Sequence, residues 1–133
     1  LESFMPANMV VGQGEADGRG LVVQADDFTI RGGAADAAIW QKMVHAERMA
    51  HDLRLPLARL VDGTGGGGSV KSLEQMGYTY VPFLPGMEVA VENLAIVPVV
   101  AAALGPVAGL GAARVVASHF SVIVRGSVPV EGR

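Results

Sequence analysis

From Asn93 to Ala113 the chain carries no charged residue, a run long enough to cross a bilayer as a helix. Its punctuation argues against that reading. Pro98 and the Gly105-Pro106 pair cut the run into a β-branched segment, a turn and a small-residue helix, and Arg114 falls where a spanning helix would still continue. "IVPVVAAAL" therefore reads as a buried strand and "GPVAGLGAARVVASHF" as a glycine turn followed by a helix, the pattern of a layered α/β unit.

The same alternation runs through the rest of the chain. "MVVGQGEADGRGLVVQADD" predicts a hairpin of two strands, Met9 to Gln13 and Leu21 to Ala25, closed at Asp17-Gly18. "FTIRGG" leads into a helix expected from about Ala34 to Leu53. Its apolar residues Ile39, Met43, Ala46, Ala50 and Leu53 recur along one helical face, with Gln41, Lys42, Arg48 and Asp52 on the solvated side. Pro56 stops the helix, and "LPLARLVD" reads as a third strand that ends in "VDGTGGGGSVKS". A helix near Gly86 to Leu94 precedes the fourth strand, and "SVIVRG" is the fifth. This order argues for an α/β fold in which the loops after successive strands gather at one edge, so that two glycine-rich loops face each other.

A length of 133 residues suits one domain. Half the residues are hydrophobic, yet only 5% are aromatic and eighteen are glycine, which suits closely packed backbones. The net charge of -3 offers no basic stripe for a phosphate backbone, so nucleic acid is not an expected partner. The absence of cysteine excludes disulfides, a thiolate nucleophile and cysteine-ligated metal, and is compatible with a reducing compartment. The chain starts at Leu1 without a basic segment and apolar core, so it is not expected to be secreted, and its end in "GSVPVEGR" leads to the expectation that both termini are cut from something longer.

Four consecutive glycines, Gly65 to Gly68, admit several roles. A phosphate-binding loop needs lysine directly after its last glycine, whereas Ser69 and Val70 intervene before Lys71. A dinucleotide fingerprint fails too, because Asp17 in "GQGEAD" and Arg114 in "GLGAAR" occupy the third small position. A flexible linker would separate two compositions, and these glycines instead follow a strand end within one continuous pattern. A purely structural turn remains open as an account.

Side-chain chemistry is sparse. Glu47 and His51 share a helical face at i, i+4, but no third metal ligand accompanies them and they are expected on a solvated surface. His45, with His51 and His119, could suggest acid/base or metal work, but His119 is expected as a favourable charge after a helix. Asp26, Asp27 and Asp62 read as single carboxylates at strand ends. What the chain does offer is backbone N–H groups at Gly65 to Gly68 and at Gly105 to Gly111, a pairing suited to a developing oxyanion.

"NMVVGQGEADGRGLVV", "DDFTIRGGAAD", "LPLARLVDGTGGGG" and "VPVVAAALGPVAGLGAARVVASHFSVIVRG", in this order and spacing, resemble the amino-terminal domain of the carboxyltransferase (β) subunit of biotin-dependent acyl-CoA carboxylases of the propionyl- and methylcrotonyl-CoA type. The similarity covers about Asn8 to Gly126. It implies a crotonase-like ββα spiral, here a single partial α/β domain: residues 1 to 133 form the acyl-CoA-binding half, without the second, biotin-binding half. By the same resemblance the oxyanion donors fall at Gly66 or Gly67 and at Gly109 and Leu110, while Arg31, Gly32 and Gly33 lie beside the coenzyme A arm, with Thr64 and Gly65 lining the substrate site.

The implied reaction moves a carboxyl group from carboxybiotin, borne by a biotin carboxylase and biotin carrier partner, to the α-carbon of an acyl-CoA. The thioester oxygen becomes an enolate that needs N–H donors, and the biotin urea nitrogen takes the α-proton, which would account for the missing carboxylate dyad. The resemblance further implies coenzyme A as part of the substrate, a trimer-based hexamer, and the bacterial cytoplasm or mitochondrial matrix. Two departures stand out: "GTGGGG" replaces the usual Ser-Gly-Gly-Ala, and Gly109-Leu110 replaces Gly-Gly, where the leucine side chain would alter pocket shape. A crotonase-type decarboxylase, hydratase or isomerase, a non-catalytic assembly domain and, third, a nucleotide-binding domain remain as alternatives.

Overall fold

The computed structural model describes residues 7–33, 37–63, 74, 77 and 86–126. Five strands form one sheet in the order β1-β2-β3-β4-β5: β1 (Met9–Ala16), β2 (Arg19–Asp26), β3 (Leu57–Gly63), β4 (Val99–Val107) and β5 (Phe120–Ile123). Among the described residues three α-helices are delimited: α1 (Ala37–Leu53), α2 (Glu88–Ile96) and α3 (Leu110–Val116).

β1 and β2 pair antiparallel from Met9↔Asp26 to Ala16↔Arg19. Asp17 and Gly18 close the hairpin with φ of 51° and 73°. Two positive φ values are what a tight two-residue turn needs to match the right-handed twist of its strands. The remaining pairs are parallel, so each strand from β2 to β5 ends at the same edge. Pro56 and Pro98 stand just ahead of β3 and β4. There their missing N–H costs no ladder bond, and their carbonyls accept from Val22 N–H at 2.8 Å and Leu57 N–H at 2.9 Å.

Burial alternates along the inner parts of β2, β3 and most of β4, and the buried set meets the helices. Val22, Leu57 and Val99 form a cluster with Ala46 and Ala50 of α1 and with Val97. The two alanines let α1 lie close on the strands, which is what the high alanine content makes possible. A second cluster joins Val61, Ala101, Ala103 and Val107 to Val115 of α3. Leu53, expected on the apolar face, is instead 49% exposed, because the helix ends there and the chain turns away at Arg54 (φ 54°) toward β3.

One expectation fails in an informative way. The Gly105-Pro106 pair is not a turn before α3 but lies inside β4, which runs on to Val107. The β3–β4 register jumps there, from Val61↔Ala103 to Gly63↔Val107, so β4 accommodates the extra residues as an irregularity. The chain breaks only at Gly109, whose φ of 54° and ψ of -124° suit glycine. The helix expected near Gly86 to Leu94 begins two residues later and runs to Ile96.

Candidate active-site edge

The parallel strands converge at their C-terminal ends, the edge where open α/β sheets place ligands. Three segments meet there. After β2, Asp27 Oδ1 accepts from Thr29 N–H at 2.9 Å and from Thr29 Oγ1 at 2.6 Å, making a turn. Asn8 O accepts the Asp27 N–H at 2.8 Å, and Asn8 Nδ2 donates to Ile30 O at 3.3 Å. This fixes the entry to the Arg31–Gly33 turn, where Gly32 and Gly33 have φ of 62° and 69°.

That turn rests directly on the end of β3. A Cβ on Gly33 would collide with the carbonyl oxygen of Asp62 and lie 3.2 Å from Gly63 Cα, while a Cβ on Gly63 would lie 2.6 Å from Gly32 O. The requirement for glycine is therefore steric as well as conformational at both positions. Gly63 pairs with Val107, two residues before Gly109, which completes the third segment. Arg31 to Gly33, Gly63, Gly109 and Leu110 thus share one edge. Thr64, Gly65, Gly66 and Gly67 lie outside the described residues.

Leu110 opens α3, so its N–H has no carbonyl four residues back within the helix to bond. Its side chain packs against the Met9–Met43 cluster, as do Val11 and Met87, which ties α3 to the core and gives the leucine a packing role. Gly109, immediately before it, is exposed.

Behind the edge lies a polar network that sequence reading placed on the surface or missed. Glu47 is not solvated: it is 2% exposed and paired with Arg59, itself 1% exposed, through Nε at 2.9 Å and Nη2 at 2.8 Å. Asn93 Nδ2 donates to Glu47 Oε2 and to Glu47 O, each at 2.9 Å. Arg59 Nη1 also donates to Arg114 O at 3.1 Å and to Ala117 O, so β3 caps the C-terminal end of α3. Burial pulls the Arg59 guanidinium down from its ordinary value, opposed by the Glu47 charge and its hydrogen bond, with a smaller downward push from Arg114.

The second buried arginine, Arg114, grips Asp26 with two bonds, Nη1 to Oδ2 at 2.8 Å and Nη2 to Oδ1 at 3.0 Å, and both side chains are 3% exposed. Its Nη2 also donates to Gln24 Oε1 at 3.0 Å, and Gln24 Nε2 donates to Met43 O at 3.2 Å. Asp26 is therefore no lone carboxylate. Its Oδ2 further accepts the Asp62 N–H at 3.3 Å. A cavity of about 90 Å³ lies among Met43, Met87, Ala90, Val91, Ala113 and Ala117, with Glu47, Arg59 and Arg114 in its wall.

Asp62 sits on the other face of the sheet, its Oδ1 filling the space that a Cβ on Gly105 would take. Its carboxyl titrates above the usual carboxylate range, first because burial disfavours the charge and second because Asp26 is near. His119, expected as a helix-end charge, acts differently: Nδ1 accepts the Val99 N–H at 3.0 Å, which leaves Nε2 to carry the proton toward Leu94 O at 2.9 Å. The neutral ring thus fastens β4 to α2. His51 is partly exposed beside Asp52 at 3.2 Å and Glu92 at 3.6 Å. Among the described residues no group of three His, Asp or Glu could hold a metal ion, and no helix is long and apolar enough to cross a membrane.

The sheet and its helices superimpose on larger enzymes. A single-chain, multi-domain long-chain acyl-CoA carboxylase matches with a TM-score of 0.79 at 19% identity, over 94% of this chain and 13% of that one. The transcarboxylase 12S hexamer with methylmalonyl-coenzyme A and methylmalonic acid bound gives 0.75 at 25% identity, over 94% and 24%. The geranyl-CoA carboxylase β subunit of P. aeruginosa gives 0.77 at 22% identity, over 92% and 23%. The chain thus spans from 13% to 24% of these relatives' length. Comparison with curated protein sequences finds no match.

These likenesses define the architecture as the crotonase-like fold of carboxyltransferases, as the sequence resemblance implied. The carboxyl transferase domain model matches residues 2–131, and the chain belongs to that family.

Proposed function

We propose that this chain is the acyl-CoA-binding half of a carboxyltransferase acting within an acyl-CoA carboxylase. The observation that carries the proposal is the meeting of Arg31–Gly33, Gly63 and Gly109-Leu110 at one sheet edge, in a chain matched nearly end to end by the carboxyl transferase domain. Backbone is the main chemical resource of that edge, and backbone N–H groups suit an oxygen that gains charge as a thioester becomes an enolate. Gly109 and Leu110, with Gly66 or Gly67, would supply these donors; removing one costs about 3 kcal/mol of transition-state stabilisation in comparable sites. Gly32 and Gly33 would let the coenzyme A arm approach, with Arg31, Thr64 and Gly65 beside it.

Carboxybiotin, carried by a partner, would deliver the carboxyl group, and a second, biotin-binding half would complete the site. The hexameric assembly of transcarboxylase 12S makes a hexamer the expected quaternary form. Within this chain the work is to bind the acyl-CoA, orient its thioester and hold the oxygen. Leu110 affects acyl preference indirectly in this reading, through its packing on Met9 and Met43.

The test is calorimetric titration of the chain with propionyl-CoA. Binding is expected, weakened at least tenfold in Gly109→Val, and no methylmalonyl-CoA should form without the partner half. Absence of binding, or carboxylated product from this chain alone, contradicts the proposal. A hydratase, isomerase or decarboxylase of the same fold would need a carboxylate at this edge, and Asp62, beside Gly63 at the end of β3, is the candidate. That reading requires Asp62→Asn to abolish turnover of an enoyl- or malonyl-type CoA while leaving binding intact.

A further inference from the structure

We propose that Asp26 and Arg114 are positioning residues that hold the three segments of the edge in register. The inference rests on the acyl-CoA reading of that edge. Asp26 is the last residue of β2, from which the chain passes to the Arg31–Gly33 turn. Its carboxylate takes both bonds of the Arg114 fork from α3 and also the N–H of Asp62, next to last in β3. One side chain thereby touches the strand leading to the first segment, the strand leading to the second, and the helix that begins at the third.

Geometry makes this a matter of orientation. A bidentate guanidinium–carboxylate pair fixes both distance and plane, which a single ammonium contact does not. Arg114 lies one turn into α3, four residues after Leu110, so a shift at its guanidinium turns the start of the helix. The opposite end of α3 is held separately, by Arg59 Nη1 on the carbonyls of Arg114 and Ala117. With its far end anchored there and Leu110 packed against the Met9–Met43 cluster near its start, α3 is set in orientation relative to β2 and β3 by the Asp26 fork. Gln24 Oε1 on Arg114 Nη2 supports the fork from the same strand.

A merely structural pair would change stability and leave the bound substrate's electronic state alone. The discriminating readout is isotope-edited infrared spectroscopy of propionyl-CoA labelled with 13C at the thioester carbonyl, bound to the full chain. The stretch should fall on binding to the native chain, because aligned N–H donors polarise the carbonyl. In Arg114→Lys, which keeps the charge but loses the fork, and in Asp26→Asn, the fall should shrink by half or more, while affinity changes less than fivefold. Asp26→Glu, which keeps the ion pair one methylene longer, serves if the asparagine variant does not fold, and should show the same loss with a near-native melting temperature. Variants that retain the full native shift overturn the positioning role. A native chain that binds propionyl-CoA without any shift overturns the oxyanion reading itself, before a variant is made.

Discussion

Gly33 and Gly32 stand side by side with nearly the same positive φ, yet their surroundings differ. A Cβ on Gly32 meets nothing within 4 Å, whereas one on Gly33 meets the backbone of Asp62 and Gly63, which cannot move aside as a side-chain tip would. Gly32→Ala should therefore cost only the backbone strain, about 1 kcal/mol, and Gly33→Ala at least about 3 kcal/mol, as measured by urea unfolding. Gly105→Ala belongs between them, because the atom in its way is the carboxylate of Asp62, which can rotate. Sequence alone reads "FTIRGG" as the lead-in to a helix; that the second glycine is demanded by the end of β3 follows only from the tertiary approach.

Asp62 gives a prediction with a sign. Its folded carboxyl keeps its proton to higher pH than in the unfolded chain, so its contribution to stability is full below the unfolded value and is lost as pH rises through the folded one. Asp62→Asn should accordingly be more stable than the native chain at neutral pH, with the difference closing in strong acid. Melting temperatures of both proteins across the acid range check this, and a gap that widens on acidification contradicts it.

At the scale of elements, the strands and helices were legible because their signals are local: apolar periodicity, Pro56 at the end of a helix, and Asp17-Gly18 at a hairpin; the fourth strand, expected from Ile96 across Pro98, begins only at Val99. Two failures share a cause. Glu47 carries a surface residue's chemistry on a helix, and nothing within α1 shows that Arg59 and Asn93, from other elements, enclose it. Gly105-Pro106 carries a turn's chemistry, and only the neighbouring β3 shows that the pair widens a strand instead. For the Glu47–Arg59 pair, Arg59→Met should cost about 3–5 kcal/mol because Glu47 is left buried and unpaired, whereas the double variant Glu47→Leu/Arg59→Met should recover most of that loss. Chemical denaturation of the three variants measures the coupling. Equal losses in single and double variants would show that the pair is not a unit.

At the scale of the molecule, the helices among the described residues serve one face of the sheet. The other presents Val23, Ala58, Val100 and Phe120 in one row and Ala25, Leu60, Ala102 and Val122 in the next, with Val100, Phe120 and Val122 at 42%, 63% and 45% exposure. Phe120→Lys and Val122→Lys should thus change folding stability by less than about 1 kcal/mol, since little burial is lost, and should raise solubility. The proposed substrate site lies at the edge, not on this face. The fold and the family were legible in the order of four motifs; the convergence of Arg31–Gly33 on Gly63 was not, because it depends on which strands lie side by side.

The most direct test is amide chemical-shift mapping of this 13.7 kDa chain during titration with propionyl-CoA. Perturbations are expected to concentrate at Ile30 to Gly33, Asp62-Gly63 and Ala108 to Gly111, with free coenzyme A reproducing only the first group. Perturbations confined to the open face around Val100 and Phe120, or an unchanged spectrum, would contradict that placement.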